Sequence, residues 1–273
     1  MDSKIGVDDR KLVLSGMRRT STRTAVQWFF DLNRKLCRSI RAHLPQAQEN
    51  LFLKYEERVV QQISSTAGQI VLDIGGGKSC PFTRLLAANR DSKIVAVDIS
   101  CDELARNKDV DLKIAGDLMG RMPLADGSVD LVVSRSVLEH LQDVSLFVGE
   151  CSRVLKKGGH TIHLLPSKYA LFALFNQMLP NTIAKRLIGF FHPRSAGICG
   201  FPAFYNSCCC SEMIRLFERN GFRIVQMKVG FDQSDYYSFF LPFYLLSALY
   251  EMAVYALGLK NLGAYLLITA QKS

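Results

Sequence analysis

The chain has 273 residues, 48% of them hydrophobic and 22% charged, with a net charge of +9; that is long enough for one large domain with its own core and too apolar for a disordered chain. Its eight cysteines are scattered, with Cys208, Cys209 and Cys210 consecutive, and lack both Cys-x-x-Cys pairing and nearby His and carboxylate partners, so neither a disulfide framework nor a metal is expected. The first 23 residues lack the apolar stretch of a signal or anchor, which predicts a cytoplasmic chain with reduced thiols, and the positive charge favours an anionic partner without choosing its class.

In chain order, Ala25, Phe29, Leu32, Leu36, Ile40 and Leu44 recur at three- or four-residue steps while Arg34, Lys35, Arg38 and Arg41 fall elsewhere, which predicts a helix stopped by Pro45. A second helix is predicted over about 50–63 and is ended by Ala67-Gly68. Together they read as an N-terminal helical extension, 1–66, ahead of a domain spanning 67–273. From residue 70 the pattern changes to short β-branched runs. Strands are predicted at 70–74, 93–97, 112–115, 129–134 and 160–165, with helices near 81–89, 101–106 and 144–155 between them. Parallel neighbours need such crossovers, so the fold expected is α/β, a doubly wound and mostly parallel sheet.

An insertion at about 166–207 breaks the rhythm, with an apolar helix over 169–179 and a Gly- and Pro-rich loop over 193–202, where a lid would sit. A helix over 211–220, a stop at Gly221 and a strand over 222–229 resume it. A second insertion, about 231–262, contains the strongly apolar stretch 236–260, in which Glu251 is the one charge before Lys260. A final strand is predicted at 264–270.

The sharpest motif is the strand leading through Asp73 and Ile74 into Gly75, Gly76 and Gly77 and on to a predicted helix. Glycines at a strand-to-helix turn permit positive φ and close approach of a ligand, at the sheet edge where open α/β folds bind ligands. Gly77-Lys78-Ser79 imitates a phosphate loop, but the first glycine of that motif would fall at Leu72, inside the strand. A dinucleotide fingerprint needs a small residue where Cys80 stands. An adenosyl ligand carrying an amino acid needs instead an acidic residue after the second strand and a polar group after the third, and Asp98 and Asp117 supply them.

The segments VLDIGGG, VAVDIS, GDL followed by MPLADGSVDLVVSRSVLEHL, and ECSRVLKKGGH resemble the motifs of class I S-adenosylmethionine-dependent methyltransferases, in particular the group acting on small molecules. The resemblance covers about 68–165 well and 208–230 loosely. It implies a Rossmann-like methyltransferase fold of seven strands, the last antiparallel, and S-adenosyl-L-methionine as cofactor. Carried over, Asp73, Gly75, Gly76 and Gly77 would surround the methionine part, and Asp98 would hold the ribose with Ile99 beside it. Asp117 and Leu118 would meet the adenine, and Ser134 would line the methyl-transfer pocket.

In-line transfer from a sulfonium depends mainly on positioning, but a neutral acceptor benefits from a base. His140 and Glu139, just past the fourth strand, are the candidates, each against the plainer role of a helix-surface or capping residue. His192 and Tyr205 flank the first insertion, within reach of a substrate there, against the plainer role of packing residues. The place of an Asn-Pro-Pro-aromatic motif after the fourth strand is taken by Ser134-Arg135-Ser136-Val137, which disfavours base or glutamine methylation.

The expected function is therefore methyl transfer to an O, N or C atom of a small acceptor, with the large apolar insertions favouring a hydrophobic or lipid-like one. RNA or protein methylation and a non-catalytic cofactor-binding adaptor stand as alternatives. The segment 236–259 approaches the length of a membrane span, but if the strands expected at 222–229 and 264–270 belong to one sheet, both its ends must return to one side, and Pro242 and Glu251 interrupt it. Helices packed over the pocket and helices lying in a membrane interface both remain open.

Overall fold

Seven strands, Ile70–Ile74 (β1), Lys93–Asp98 (β2), Leu112–Ala115 (β3), Val129–Arg135 (β4), Leu155–Pro166 (β5), Phe222–Gly230 (β6) and Tyr265–Lys272 (β7), build one sheet in the order β3-β2-β1-β4-β5-β7-β6. The computed structural model describes residues 25–86, 91–178 and 201–273. β1 pairs in parallel with β2 and β4, β2 with β3, and β4 with β5, whereas β7 runs antiparallel between β5 and β6. This is the doubly wound, seven-stranded, mostly parallel arrangement expected. Because β7 is reversed, Tyr265 lies opposite Pro166 and Gly230 and so starts at the edge where β1, β2 and β4 end.

The helices are Ala25–Arg41 (α1), Leu51–Ser64 (α2), Cys101–Arg106 (α3), Val144–Val154 (α4), Leu171–Met178 (α5), Cys210–Arg219 (α6) and Leu241–Ala256 (α7). Alternate strand residues face opposite ways, and two cores result. Leu72, Ile74, Val95 and Val132 pack with Phe147, Val148 and Cys151 of α4 and with Met213 and Phe217 of α6. Val71, Ile94, Leu131 and Val133 lie under Leu51, Tyr55, Val59 and Ile63 of α2. Helix α2 thus covers one face of the sheet. Side chains so buried contribute roughly 1.5–3 kcal/mol each, and the Asn50 side chain, accepting from the N–H groups of Phe52 and Leu53, caps its start.

Two elements differ from expectation. Of the helix expected near 81–89, the described part is a 3-10 turn, Pro81–Leu85, with Leu86 already extended, and 87–89 lie outside the described residues. Phe82 is its one buried apolar anchor, while Leu85 is exposed, so no apolar stripe prolongs it. β5 begins at Leu155 rather than 160 because α4 runs into the strand without a loop, Leu155 pairing with Val129. His192 and most of the loop expected over 193–202 lie outside the described residues.

Helices α1 and α7 are where polarity and burial part company. The helix predicted at the N-terminus forms, but its buried residues are Asn33 and Cys37, while Phe29, Leu32 and Leu36 are exposed. The apolar segment of the second insertion forms a 3-10 turn, Ser234–Tyr237, followed by α7. Among the described residues no helix is long and apolar enough to cross a membrane.

Candidate functional site

The ends of β1, β2 and β4 meet at the glycine turn. Gly75 has φ of 67°, its N–H donates to the Val97 carbonyl at 2.7 Å, and a Cβ there would come within 2.4 Å of Val137 Cγ2. Gly77 also has positive φ, and its N–H donates to Asp98 Oδ2 at 3.0 Å. The other Asp98 oxygen accepts the Ser100 N–H at 2.8 Å. Each oxygen keeps a second lone pair, so Asp98 both fastens the turn and retains acceptors for a ligand hydroxyl. A Cβ on Gly77 would lie 3.0 Å from Glu103 Oε2, in the first turn of α3; the absent side chain leaves a cradle walled by two carboxylates.

Three residues passed over in the sequence reading complete this turn. Asn107, fully buried, donates from Nδ2 to the Gly76 carbonyl at 2.7 Å and accepts the Asp109 N–H at Oδ1. Asp109 in turn accepts the Cys80 N–H at 2.9 Å. Glu103 is foreshadowed by Ser100-x-x-Glu103, a capping-box spacing, and Ser100 does cap α3. Asn107 and Asp109 lie in a loop with no periodicity, and nothing in the sequence set them apart.

Asp73 lies on the α2 face of the sheet, nearly buried, with its carboxyl raised to about 7 by desolvation against the opposing pull of a hydrogen bond from Cys80 and the charge of Arg135. A cavity of about 50 Å³ opens beside it, walled by Tyr55, Asp73, Gly75, Ser79 and Arg135. Arg135 and Arg84 hold Glu56 of α2 at 3.4 and 2.5 Å. The Asp73 carboxyl and the Arg135 guanidinium both line this small space, so it offers one acidic and one basic group to a ligand. A larger cleft of about 380 Å³ between Asn50, Glu57, Gly230 and Tyr255 shares no residue with the turn.

The remaining expected residues divide. Ile99 projects from the end of β2, 59% exposed, as an apolar surface beside Asp98. Asp117 is exposed and caps its own loop by accepting the Met119 N–H. Leu118 is buried in the core on the α4 face. Ser134 stands at the end of β4, but its side chain faces the core, its hydroxyl 2.7 Å from His163 Nδ1, and is fully buried. The resemblance would place it on the transfer pocket; strand alternation turns it away from the Asp73 side, and Arg135 takes that side instead.

Past β4 the backbone tightens. Ser136 has φ of 56°, and Tyr205 and Ser207, across the site, have 55° and 58°, strained values for residues with a side chain. The two segments are laced together. The Glu139 carbonyl accepts the N–H groups of Phe204 and Tyr205, and Asn206 donates to the Gln142 carbonyl. His140 Nδ1 lies 2.8 Å from the Pro202 carbonyl. A carbonyl only accepts, so Nδ1 carries the proton and Nε2 is left with its lone pair. The Glu139 side chain is buried, Oε1 3.8 Å from that Nε2 and Oε2 without a hydrogen-bond partner among the described residues. Desolvation raises its carboxyl to about 8. Tyr205 is buried as expected of a packing residue and hydrogen-bonds Asn176 of α5. Beyond it stands an aromatic wall. Phe172 stacks on Tyr236 at 4.6 Å, and the Tyr236 hydroxyl meets that of Tyr265 at 2.7 Å.

Among the described residues no group of His, Cys, Asp and Glu is arranged to hold a metal, and the cysteines are free thiols.

Residues 72–163 match the family model described as a methyltransferase domain. A probable S-adenosylmethionine-dependent methyltransferase of Mycolicibacterium smegmatis is 34% identical over 129 residues, 45% of this chain and 48% of that protein. A demethylmenaquinone methyltransferase of Corynebacterium glutamicum is 34% identical over 38% of this chain and 45% of its own. A ubiquinone biosynthesis O-methyltransferase of Nitrobacter winogradskyi is 28% identical over 62% of each. The chain thus spans about half the length of the first of these relatives. Among solved structures, geranyl diphosphate C-methyltransferase from Streptomyces coelicolor superposes with a TM-score of 0.52 at 15% identity, over 82% of this chain and 81% of that one. The [4+2]-cyclase SpnF superposes with 0.51 at 16% identity over 80% of each. At such identity the likeness concerns the fold, and one fold serves more than one reaction.

Proposed function

We propose that this chain, a class I S-adenosylmethionine-dependent methyltransferase by fold and motif, binds S-adenosylmethionine across the turn at 75–77 and transfers its methyl group to a small apolar acceptor. The observation that carries the reading is the turn itself: three glycines tied to Asp98, with Glu103 beside Gly77 and carboxylates at two successive strand ends. Bound there, the cofactor supplies an electrophilic methyl on a sulfonium.

The residues of the chain then have separate tasks. Asp98 takes the ribose hydroxyls with its remaining lone pairs, with Glu103 alongside, and Ile99 lies against the adenine with Asp117 at its edge. Asp73 and Arg135 meet the ammonium and carboxylate of the amino-acid end in the small cavity between them. Ser134 and Leu118 support this site from the core without touching its ligand. His140 Nε2, oriented by the Pro202 carbonyl, takes the proton from an oxygen or nitrogen acceptor. Phe172, Tyr236 and Tyr265 give the acceptor side a flat apolar surface, which suits a ring or a lipid-like chain and favours it over a sugar or free amino acid. The quinone methyltransferases among the relatives point the same way.

Calorimetry with S-adenosylhomocysteine, the demethylated product, tests the assignment. The wild-type chain is expected to bind it, and Asp98→Ala to weaken binding by roughly ten- to a hundredfold, the loss of one or two hydrogen bonds to a charged acceptor. No signal from the wild type at millimolar ligand, or unchanged affinity in the variant, would remove the ribose assignment.

A further inference from the structure

Two neighbouring helices carry their polarity the wrong way round for elements that face water. On α7 the buried side holds Ser247 and Glu251 among Tyr244, Ala248 and Val254, while Leu246, Leu249 and Leu257, just past its end, are 69%, 61% and 72% exposed. Its one charged residue, Glu251, is turned inward, accepting from the Ser247 and Ser234 hydroxyls at 3.0 and 3.2 Å and from the Gln233 N–H at 3.1 Å. Helix α1 packs on it through Cys37, against Tyr244 and Ala248, and through Asn33, whose Oδ1 accepts the Leu241 N–H at 2.8 Å. The apolar stripe of α1, Trp28, Phe29, Leu32 and Leu36, is exposed like the outer side of α7. Polar groups inside a helix pair and apolar groups outside it are the pattern of an apolar surrounding medium. Scattered exposed leucines are ordinary, but a whole helix side without a charge is not.

Charge selects the medium. Lys35 and Arg38 are exposed on α1, next around the helix from that stripe, and have no ion pair among the described residues. Basic residues flanking an exposed apolar face match anionic headgroups above an acyl boundary. A second copy of this chain fits less well, because a two-fold pairing would bring each patch, cations included, onto itself. Helix α7 is too short to span and lies between strands of one sheet, which restricts it to the interface.

We propose that α1 and α7 form a docking surface for an anionic lipid bilayer. Leu246, Leu249 and the α1 stripe enter the interface, and Lys35 and Arg38 contact the headgroups. The turn that leads into α7 carries Tyr236 of the aromatic wall, so docking sets the acceptor side of the site at the membrane and gives a lipid-like acceptor a direct way in. This last step rests on the functional reading above; the docking itself does not.

Flotation of the full chain with phosphatidylcholine vesicles, with and without phosphatidylglycerol, tests it without cofactor. The expected result is binding to the anionic vesicles that falls with added salt, is lost in L246E/L249E and drops about tenfold or more in K35E/R38E. Absence of wild-type binding, or binding untouched by both double variants, overturns the proposal. So does a wild-type dimer in sedimentation that L246E/L249E converts to monomer without any vesicle binding, which assigns the face to a second copy. S-adenosylhomocysteine calorimetry on the same samples reports folding of the variants. Its failure in the wild type would defeat the functional reading and leave the vesicle result standing.

Discussion

Glu139 is held by its surroundings in an unusual protonation state. Its carboxyl has been taken out of water without a compensating cation, and desolvation raises it from 4.5 to about 8. The folded chain therefore keeps a proton that the unfolded chain gives up, so the contribution of Glu139 to stability falls as pH climbs from 4.5 to 8 and is constant above that. Asp73 and Glu251, both raised to about 7 by burial, act in the same direction over the lower part of that range. His163 acts oppositely. Burial lowers it to about 3, so its effect is a gain in stability with rising pH that ends near 6.5. Between pH 6.5 and 8 the acids act alone, and Glu139 withdraws about 2 kcal/mol over that interval. Thermal unfolding of the unliganded chain is expected to move to lower temperature across this window, and Glu139→Gln to flatten the decline. An equal decline in the variant would show that Glu139 is not the protonated group.

At the scale of elements, the glycine turn is specified by its neighbours as much as by its own conformation. Gly75 and Gly127 have nearly the same φ, 67° and 62°, but a Cβ on Gly127 meets nothing within 4 Å, whereas on Gly75 it meets Val137 Cγ2 at 2.4 Å. Gly127→Ala should cost about 1 kcal/mol, the left-handed backbone term. Gly75→Ala should cost about 3 kcal/mol, because overpacking adds to that term, and it should also weaken S-adenosylhomocysteine binding. Urea unfolding compares the two, and equal costs would mean that Val137 yields without strain. The contrast also marks what was legible in the sequence. The strands were, because β-branched runs at regular spacing have few alternatives, and so were the glycine turn, Asp98 and the reversed last strand implied by the resemblance. The short turn at Pro81–Leu85 was not, since its fate depends on whether a sheet face has room for a second apolar contact. Nor were the inward-facing side of α1 or the structural role of Ser134. Periodicity says that a helix or strand has two faces, and only tertiary packing says which one is inside. Arg135, Asn107 and Asp109 escaped for a related reason: each acts through a partner 29 or more residues away in sequence, at Glu56, Gly76 and Cys80.

For the whole molecule, ligand binding and pH act on the same groups and are therefore linked. A ligand that binds only the folded chain stabilises it by about 2.7 kcal/mol at a hundredfold excess over its dissociation constant. For a chain of this length that is a rise in Tm of roughly 5–10 °C. In the proposed site the ammonium of the amino-acid end faces Asp73, whose carboxyl is raised to about 7 in the unliganded chain. The cation favours the ionised carboxylate, so below pH 7 binding must first release a proton, and that step weakens affinity as pH falls. The thermal shift produced by a fixed concentration of S-adenosylhomocysteine should accordingly be larger at pH 7.5 than at pH 6, about tenfold in affinity if the carboxyl ionises fully on binding. Asp73→Asn should bind more weakly at both values and lose the difference between them, while its unliganded form becomes more stable at pH 7.5, relieved of a buried charge. Asp98→Ala removes ribose contacts and also lowers the Asp73 carboxyl, because the Asp98 charge is one of the causes that raise it, so this variant should keep a pH dependence displaced to lower pH. A shift of equal size at pH 6 and 7.5 in the wild type would mean that the ammonium does not sit at Asp73, and the small cavity beside Arg135 would then have to receive another part of the ligand.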